Sequence, residues 1–343
     1  MVLPALCCPP SRAATDAFKE RKKLGVGSAS YWMLLSTERR HGGPAQFADP
    51  IGFVQFCHER GAGGVQLRIR VRDKDYVARL RGKLEVYDMF LEGSIRVPRD
   101  PADVDRFDAE VRVAKEAGAT VLRVAMGGRR YEVYVRADAY QQFTERSFRS
   151  LMLAEPIVAR HEIRLAIENH KDWRINQLVG MLKRLDSEYV GICVDTGNSI
   201  SLLEDPMEVV EAFAPWAYSV HLKDMAVRPY EDGFLLAGVP LGEGLLDLGR
   251  MVGLLGRARP EIQFSLEMMT RDPLKIPCLT EKYWATLSDV PGRQLARTLA
   301  MVRDHAAEQP FPRISGLTPK DRLAAEDNNV RRSLAYAREH LDL

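Results

Sequence analysis

The sequence has few cysteines, no long apolar run and almost no excess of either charge. Its five cysteines are odd in number and irregular in spacing, so they predict neither a disulfide framework nor a CxxC zinc site. This usage favours a reducing, cytoplasmic setting. No segment approaches the roughly 20 apolar residues of a membrane span. The 49 basic and 47 acidic residues leave a net charge of +2, which provides no basic surface for nucleic acid or an acidic membrane.

What the chain does contain is a regular alternation of apolar, β-rich runs and amphipathic helical stretches. The predicted strands are 23–32, 64–70, 89–98, 120–128, 163–170, 189–198, 217–225 and 262–270. The predicted helices between and after them are 49–63, 73–88, 100–119, 137–162, 174–186, 205–216, 245–258 and 292–306. Eight β/α units in order predict a parallel sheet closed into one (β/α)8 TIM barrel over 23–310. A doubly wound open sheet is disfavoured because no Gly-rich phosphate loop follows the first strand.

Four segments lie outside this repeat. Residues 1–22 are predicted to be a flexible leader, since prolines interrupt their short apolar run. Two long loops, 226–244 and 271–291, follow strands seven and eight, at the face where barrels place their chemistry. Residues 311–343 are predicted to be a C-terminal extension containing a polar helix at roughly 320–341, which covers the surface or contacts another subunit.

Potential metal ligands end each of the last four predicted strands. They are Glu168 in LAIE, Asp195 in GICVD, His221 in YSVH and Glu267 in FSLE. Each follows an apolar run, so each is expected at the mouth of the barrel. Three carboxylates and one imidazole suit a single divalent cation, with Mn2+ as the expected ion and Mg2+, Co2+ or Zn2+ as alternatives. Unrelated polar strand ends are the competing interpretation, which four consecutive cases make less attractive.

The runs around these residues resemble the xylose-isomerase-like barrel superfamily. The matching runs are AIENH (166–170), CVDTGN (193–198), SVHLKDM (219–225) and SLEM (265–268). The superfamily includes sugar isomerases, ketose 3-epimerases, inosose dehydratases and AP endonucleases. The order Glu, Asp, His, Glu resembles the epimerase branch, where the set holds one metal ion and the two glutamates move the substrate proton. The resemblance therefore implies those roles for Glu168 and Glu267, and it implies a dimer or tetramer.

One departure separates this chain from the epimerases. They carry a substrate-binding His three residues after the metal-binding Asp, where this chain has Asn198. The endonuclease branch needs several additional histidines, and only His170 and His221 lie at strand ends here. We therefore expect a small sugar or sugar-acid substrate and no nucleic acid.

Further polar residues near the strand ends are candidates for the site. His170 and Lys223 each lie two residues beyond a predicted ligand, on the same strand face. They are predicted to be catalytic, the alternatives being a structural hydrogen bond for His170 and a solvated loop lysine for Lys223. Asp224 is expected to cap a loop or orient a ligand. Predicted substrate contacts are Trp32 with Tyr31, Arg68, Arg123, Asn198 and Arg228. Core or rim packing is the alternative for Trp32 and Tyr31, and an exposed loop position is the alternative for Arg228.

These residues support three functional hypotheses. The first is a ketose or keto-sugar isomerase/epimerase that works through a metal-stabilised enediolate. The second is a lyase or decarboxylase of a 3-oxo sugar acid, because loss of CO2 from such an acid produces the same intermediate. Asn198 together with Lys223, Arg123 and Arg228 favours this second hypothesis. The third is a non-catalytic barrel that binds a metal or ligand.

Overall fold

The predicted barrel is present and closed. The computed structural model describes residues 23–41 and 47–343, so the leader predicted over 1–22 lies outside the described residues. Eight parallel strands pair in the order β1, β2, β3, β4, β5, β6, β7, β10 and back to β1. They are β1 Gly25–Gly27, β2 Gly64–Arg68, β3 Phe90–Ser94, β4 Val121–Val124, β5 Arg164–Glu168, β6 Val190–Asp195, β7 Ala217–Leu222 and β10 Gln263–Leu266. The chain order of the strands thus predicted the order of their pairing.

The helices surround the strands much as their periodicity predicted. They are α1 Trp32–His41, α2 Pro50–His58, α3 Lys74–Tyr87, α4 Val104–Glu116, α5 Arg130–Val133, α6 Ala137–Arg160, α7 Ile175–Leu185, α8 Pro206–Phe213, α9 Leu248–Ala258, α10 Gly292–Asp304 and α11 Pro319–His340. Asp205 caps α8 by accepting hydrogen bonds from the backbone N–H groups of Met207 and Glu208. Asp100 makes no such bond: a 3-10 turn follows it, and α4 begins only at Val104.

The first strand is shorter than predicted. It ends at Gly27, and a 3-10 turn over Ser28–Tyr31 leads into α1, which the sequence did not predict. The buried hydroxyl of Ser30 donates to the carbonyl of Leu266 and accepts from the N–H of Met268. These two bonds hold the turn against the end of β10. A longer β1 would instead have continued past the rim of the barrel.

Of the two segments predicted as long loops, the first is largely strands, and the second contains one short strand and a 3-10 turn over Glu281–Thr286. The segment after β7 forms a hairpin of β8 Asp224–Tyr230 and β9 Gly233–Val239, and the segment after β10 adds β11 Leu274–Ile276. These three strands pair antiparallel in the order β11, β9, β8. Gly233 is required at the hairpin turn, because its φ is +148° and a Cβ there would lie 2.3 Å from the carbonyl oxygen of Ile276.

The two C-terminal helices pack on surfaces other than those that chain order suggested. Helix α10, predicted to be the eighth barrel helix, buries Val302 in a separate apolar cluster with Phe234 and Ile276 of the hairpin sheet. Helix α11 instead buries Val330 and Leu334, among others, in the main core. The helix predicted at 320–341 is therefore present, and it packs on the barrel wall. None of the described helices is both long and apolar enough to cross a membrane.

Candidate metal centre

The four predicted ligands converge at the carboxyl ends of the barrel strands. Glu168 and Asp195 are the last residues of β5 and β6, His221 is the penultimate residue of β7, and Glu267 directly follows β10. One potential ligand atom from each lies within 4.8 Å of the others, and all four side chains are buried. Parallel pairing brings them together, since Asp195 is in register with His221, and His221 with Ser265.

The imidazole of His221 is oriented with one nitrogen toward the carboxylates. Its Nε2 lies 2.9 Å from Oε1 of Gln66 on β2. Because an amide oxygen only accepts, Nε2 carries a proton, and Nδ1 is the nitrogen that is left for a metal ion. Nδ1 lies 3.6 Å from Glu267, 3.7 Å from Glu168 and 3.9 Å from Asp195. This buried atom has no hydrogen-bond partner among the described residues, so the donor set fits a divalent cation.

Protonation of His221 competes with binding of a cation. Burial lowers the pKa of His221, but the charges of Cys193, Glu267 and Glu168 raise it well above its usual value. A metal ion at Nδ1 must therefore displace a proton, which makes metal affinity depend on pH.

Two cations lie directly against the carboxylates. The guanidinium of Arg123 on β4 contacts Glu168, and the ammonium of Lys223 contacts Glu267 and lies 2.8 Å from Oδ2 of Asp195. Burial alone would raise the pKa of Glu168, but Arg123 and His221 lower it well below its usual value. Burial opposes the charge of Glu267 too, yet Lys223 and His221 lower its pKa to about 2. Both glutamates are therefore ionised.

Asp195 is held differently. Its Oδ1 accepts hydrogen bonds from the backbone N–H groups of Gly197 and Asn198, at 3.0 and 2.8 Å. Burial raises the pKa of Asp195 and outweighs the opposing charge of Lys223. The backbone bonds fix the carboxylate with Oδ2 toward the other ligands.

A comparison with known proteins decides the family. The family model described as "Xylose isomerase-like TIM barrel" matches residues 54–290, which is more than half of the chain. The chain belongs to the xylose isomerase-like TIM barrel family. The resemblance inferred from the strand-end motifs is thereby confirmed.

Two solved structures share the fold at low sequence identity. D-psicose 3-epimerase, solved in the presence of D-fructose, is 13% identical with a TM-score of 0.56, over 94% of this chain and 100% of that one. A xylose isomerase-like TIM barrel protein from Mycobacterium smegmatis, in complex with magnesium, is 15% identical with a TM-score of 0.53, over 82% of this chain and 99% of that one.

A curated relative is more similar in sequence but over a shorter length. It is the 3-oxo-isoapionate decarboxylase of Pectobacterium atrosepticum, 35% identical over 94 residues. The match covers 27% of this chain and about a third, 34%, of the relative.

The structure brings several predicted substrate-binding and catalytic residues to the centre. Arg123 and Lys223 contact the ligands, and Asn198 Nδ2 donates to Glu168 Oε1 at 3.2 Å. His170 is mostly buried, and its Nδ1 has no hydrogen-bond partner within the described chain. Burial and the charge of Lys171 lower the pKa of His170 to about 3, so its ring is neutral.

Other predicted residues lie farther out. Arg68 forms an ion pair with Glu110 on α4 at 3.8 Å, and Arg228 lies on β8 in register with Leu235. Trp32 opens α1, is 38% exposed and donates from its indole N–H to the carbonyl of Thr270. The substrate contacts of Arg68, Arg228 and Trp32 stay predictions. Tyr31 is buried and donates its hydroxyl to Asp327, so stacking of Tyr31 on a sugar is wrong.

Asp224, the predicted loop cap, performs that role. Its carboxylate accepts from the backbone N–H groups of Met225, Gly242, Gly244 and Leu246, at 2.8 to 3.2 Å. These bonds hold residues 242–246, which follow the hairpin, against the start of β8.

Sequence reasoning missed several polar residues at the centre. Gln66 and Glu92 are buried in β2 and β3, and burial raises the pKa of Glu92. Lys171 and Arg271 follow the ligands of β5 and β10 by three and four residues. A polar side chain inside a strand of otherwise buried apolar residues was the available signal for Gln66 and Glu92.

Proposed function

We propose that this protein is a metal-dependent lyase that decarboxylates a 3-oxo sugar acid. The observation that carries the proposal is the pair of cations against the ligands, Arg123 on Glu168 and Lys223 between Asp195 and Glu267. With a divalent ion bound and Asp195 ionised as its ligand, the three carboxylates, the two cations and the ion sum to a net charge of plus one. Such a site favours an anionic substrate over a neutral ketose. The partial similarity to 3-oxo-isoapionate decarboxylase supports the same reaction class.

The four side chains Glu168, Asp195, His221 and Glu267 would hold the ion. We propose Mn2+, with Mg2+, Co2+ and Zn2+ as alternatives for the same donors. When bound, a divalent ion supplies Lewis acidity toward a carbonyl oxygen.

The reaction requires an electron sink and a proton. In a 3-oxo acid the bond between C1 and C2 breaks, CO2 leaves, and the electron pair moves into an enediolate across C2 and C3. Arg123 and Lys223 add fixed positive charge where this negative charge develops. C2 then takes up a proton, which we assign to Lys223. Burial opposes the charge of Lys223, but the carboxylates of Asp195 and Glu267 raise its pKa, so it begins the reaction protonated.

A ketose epimerase or isomerase is the second candidate. It is supported by Glu168 and Glu267, two ionised carboxylates on opposite sides of His221 in the strand order β5, β6, β7, β10. One would remove a proton beside the carbonyl, and the other would return it to the opposite face. The solved relatives named above include a sugar epimerase, which supports this candidate at the level of fold.

One assay separates the candidates. The Mn2+-loaded protein is incubated in D2O with a panel of 3-oxo sugar acids and, separately, with ketoses. The proposed lyase releases CO2 in proportion to acid consumed and leaves one deuterium in the product at the carbon that was C2 of the acid, which NMR detects. Deuterium exchange into ketoses without CO2 release would replace the lyase by the epimerase. Neither reaction across both panels would favour a non-catalytic metal-binding barrel. Light scattering on the same sample tests the proposed dimer or tetramer.

A further inference from the structure

Two cations beside the metal centre have no carboxylate partner. Lys171 is 2% exposed, and its ammonium donates to Oδ1 of Asn198. The ammonium of Lys223 lies 3.3 Å from the same oxygen. Arg271 is partly buried, and its side chain makes no hydrogen bond to any described residue. Within the described chain, neither Lys171 nor Arg271 has a carboxylate at ion-pair distance.

Other buried cations of this face differ in this respect. Arg123 contacts Glu168, and Arg174 lies 3.4 Å from Glu204. Arg130 has no carboxylate, but three of its nitrogens are bonded to Thr286 and Gln177. Only a single neutral amide oxygen faces Lys171, and that oxygen is shared with Lys223. The charge of Lys171 is therefore the least compensated of these.

An uncompensated buried ammonium is costly, and its neighbours increase the cost. Desolvation and the like charges of Lys223 and Arg271 lower the pKa of Lys171 to about 7, although the charges of Asp195 and Glu267 oppose them. Burial lowers the pKa of Arg271 and the charge of Arg129 lowers it further, while the charges of Glu267 and Asp195 oppose this. A bound anion would relieve the repulsion between Lys171 and Arg271 and provide the partner that both lack.

The position of the two residues relates this anion to the metal centre. Lys171 follows Glu168 by three residues on the loop after β5, and Arg271 follows Glu267 by four on the segment after β10. Both residues therefore belong to segments that follow ligand-bearing strands, at the carboxyl-terminal face of the barrel. Asn198 links the two sites, because its Nδ2 donates to Glu168 while its Oδ1 accepts from Lys171.

We propose that Lys171 and Arg271 form an anion subsite that takes the carboxylate of the substrate and selects sugar acids over neutral sugars. This inference deepens the proposed lyase and rests on it for the identity of the anion. Asn198, which holds both lysines, is the positioning residue of the subsite. A histidine at this position would not present the same amide oxygen to two ammonium groups.

Unreactive matched ligands test the subsite apart from turnover. Aldonates and alditols of four, five and six carbons differ only by a carboxylate in place of a hydroxymethyl group. Calorimetric titration of the Mn2+-loaded protein should give tighter binding of at least one aldonate than of its alditol. Arg271→Gln and Lys171→Gln should each weaken that aldonate about 10-fold to 100-fold, as expected for hydrogen bonds to a charged group. Binding of the alditol and of Mn2+ should change less than twofold.

Controls keep the result specific. Lys275→Gln removes the same charge from an exposed position on β11 and should leave aldonate affinity unchanged. Circular dichroism reports whether each variant folds, and Arg271→Lys, which keeps the charge, should retain most of the preference for the acid.

Three results would overturn the subsite. They are no preference of the wild-type protein for any aldonate, an unchanged preference in both glutamine variants, or tighter binding of glucitol 6-phosphate than of any aldonate. The last result would assign the subsite to a phosphate ester. Failure of the lyase is seen separately, as absence of CO2 release by a protein that still binds aldonates.

Discussion

Replacing Gln66 by leucine should weaken metal binding although Gln66 is not a ligand. Its amide oxygen, 2.9 Å from Nε2 of His221, fixes both the ring orientation and the tautomer that leaves Nδ1 free. In the Gln66→Leu variant the Nε2–H group is buried without a partner, which costs about 1–3 kcal/mol. Each 1.4 kcal/mol is a tenfold change in a dissociation constant. We therefore expect the Mn2+ dissociation constant to rise about 10-fold to 100-fold.

Titration of free Mn2+ followed by electron paramagnetic resonance measures this constant directly. Gln263→Leu is the matched control, since it removes the same amide from the opposite, amino-terminal end of barrel strand β10, and it should bind Mn2+ as the wild type does. Wild-type affinity in Gln66→Leu, together with reduced affinity in His221→Ala, would refute the reasoning that Gln66 prepares Nδ1 for the ion.

Three further predictions concern the site and its supports. Glu267→Gln should abolish turnover and leave the fold intact, because it removes a ligand charge that Lys223 pairs with. Glu261→Gln, at an exposed position, is the control. Full activity of Glu267→Gln would show that Glu267 does not belong to the site. Burial raises the pKa of Glu326 to about 7 in the folded state although it accepts the N–H groups of Met33 and Leu34. Its stabilising contribution is thus fully present below the unfolded value of 4.5 and is lost as pH rises toward 7. In denaturant unfolding, the free energy of unfolding of the wild type should fall by about 3 kcal/mol relative to that of Glu326→Gln between these pH values. Parallel dependence of the two free energies on pH would contradict this. Asp224→Asn, which cannot accept all four backbone N–H groups, should lower the free energy of unfolding by about 2–4 kcal/mol; an unchanged melting temperature would argue against the cap.

The ligand set was predictable because it depends on local pattern and on one topological rule. Glu168, Asp195, His221 and Glu267 each end an apolar run, and the carboxyl ends of parallel strands in a barrel meet at one face. Gln66 was not predictable in the same way. It contacts His221 across the barrel, 155 positions away along the chain, and no periodicity indicates which interior side chain faces which.

The outer layers of the fold were predicted less well than the barrel. Residues 226–244 were predicted to be a loop, but the backbone of this segment pairs in the hairpin of β8 and β9. Helices α10 and α11 are both amphipathic. An amphipathic pattern predicts that a helix buries one face, but not which apolar surface that face packs against. Chain order predicted that α10 packs on the barrel. In the structure α10 packs on the apolar cluster of the hairpin sheet, which exists only once the insertions fold, and α11 packs on the barrel wall instead.

The central claim is that one divalent ion binds among the four strand-end side chains. Crystals grown with Mn2+ and measured at the manganese absorption edge test it most directly. The account predicts a single anomalous peak in contact with Glu168, Asp195, Glu267 and Nδ1 of His221. Absence of a peak there, with the ammonium of Lys223 still between Asp195 and Glu267 at saturating Mn2+, would contradict it.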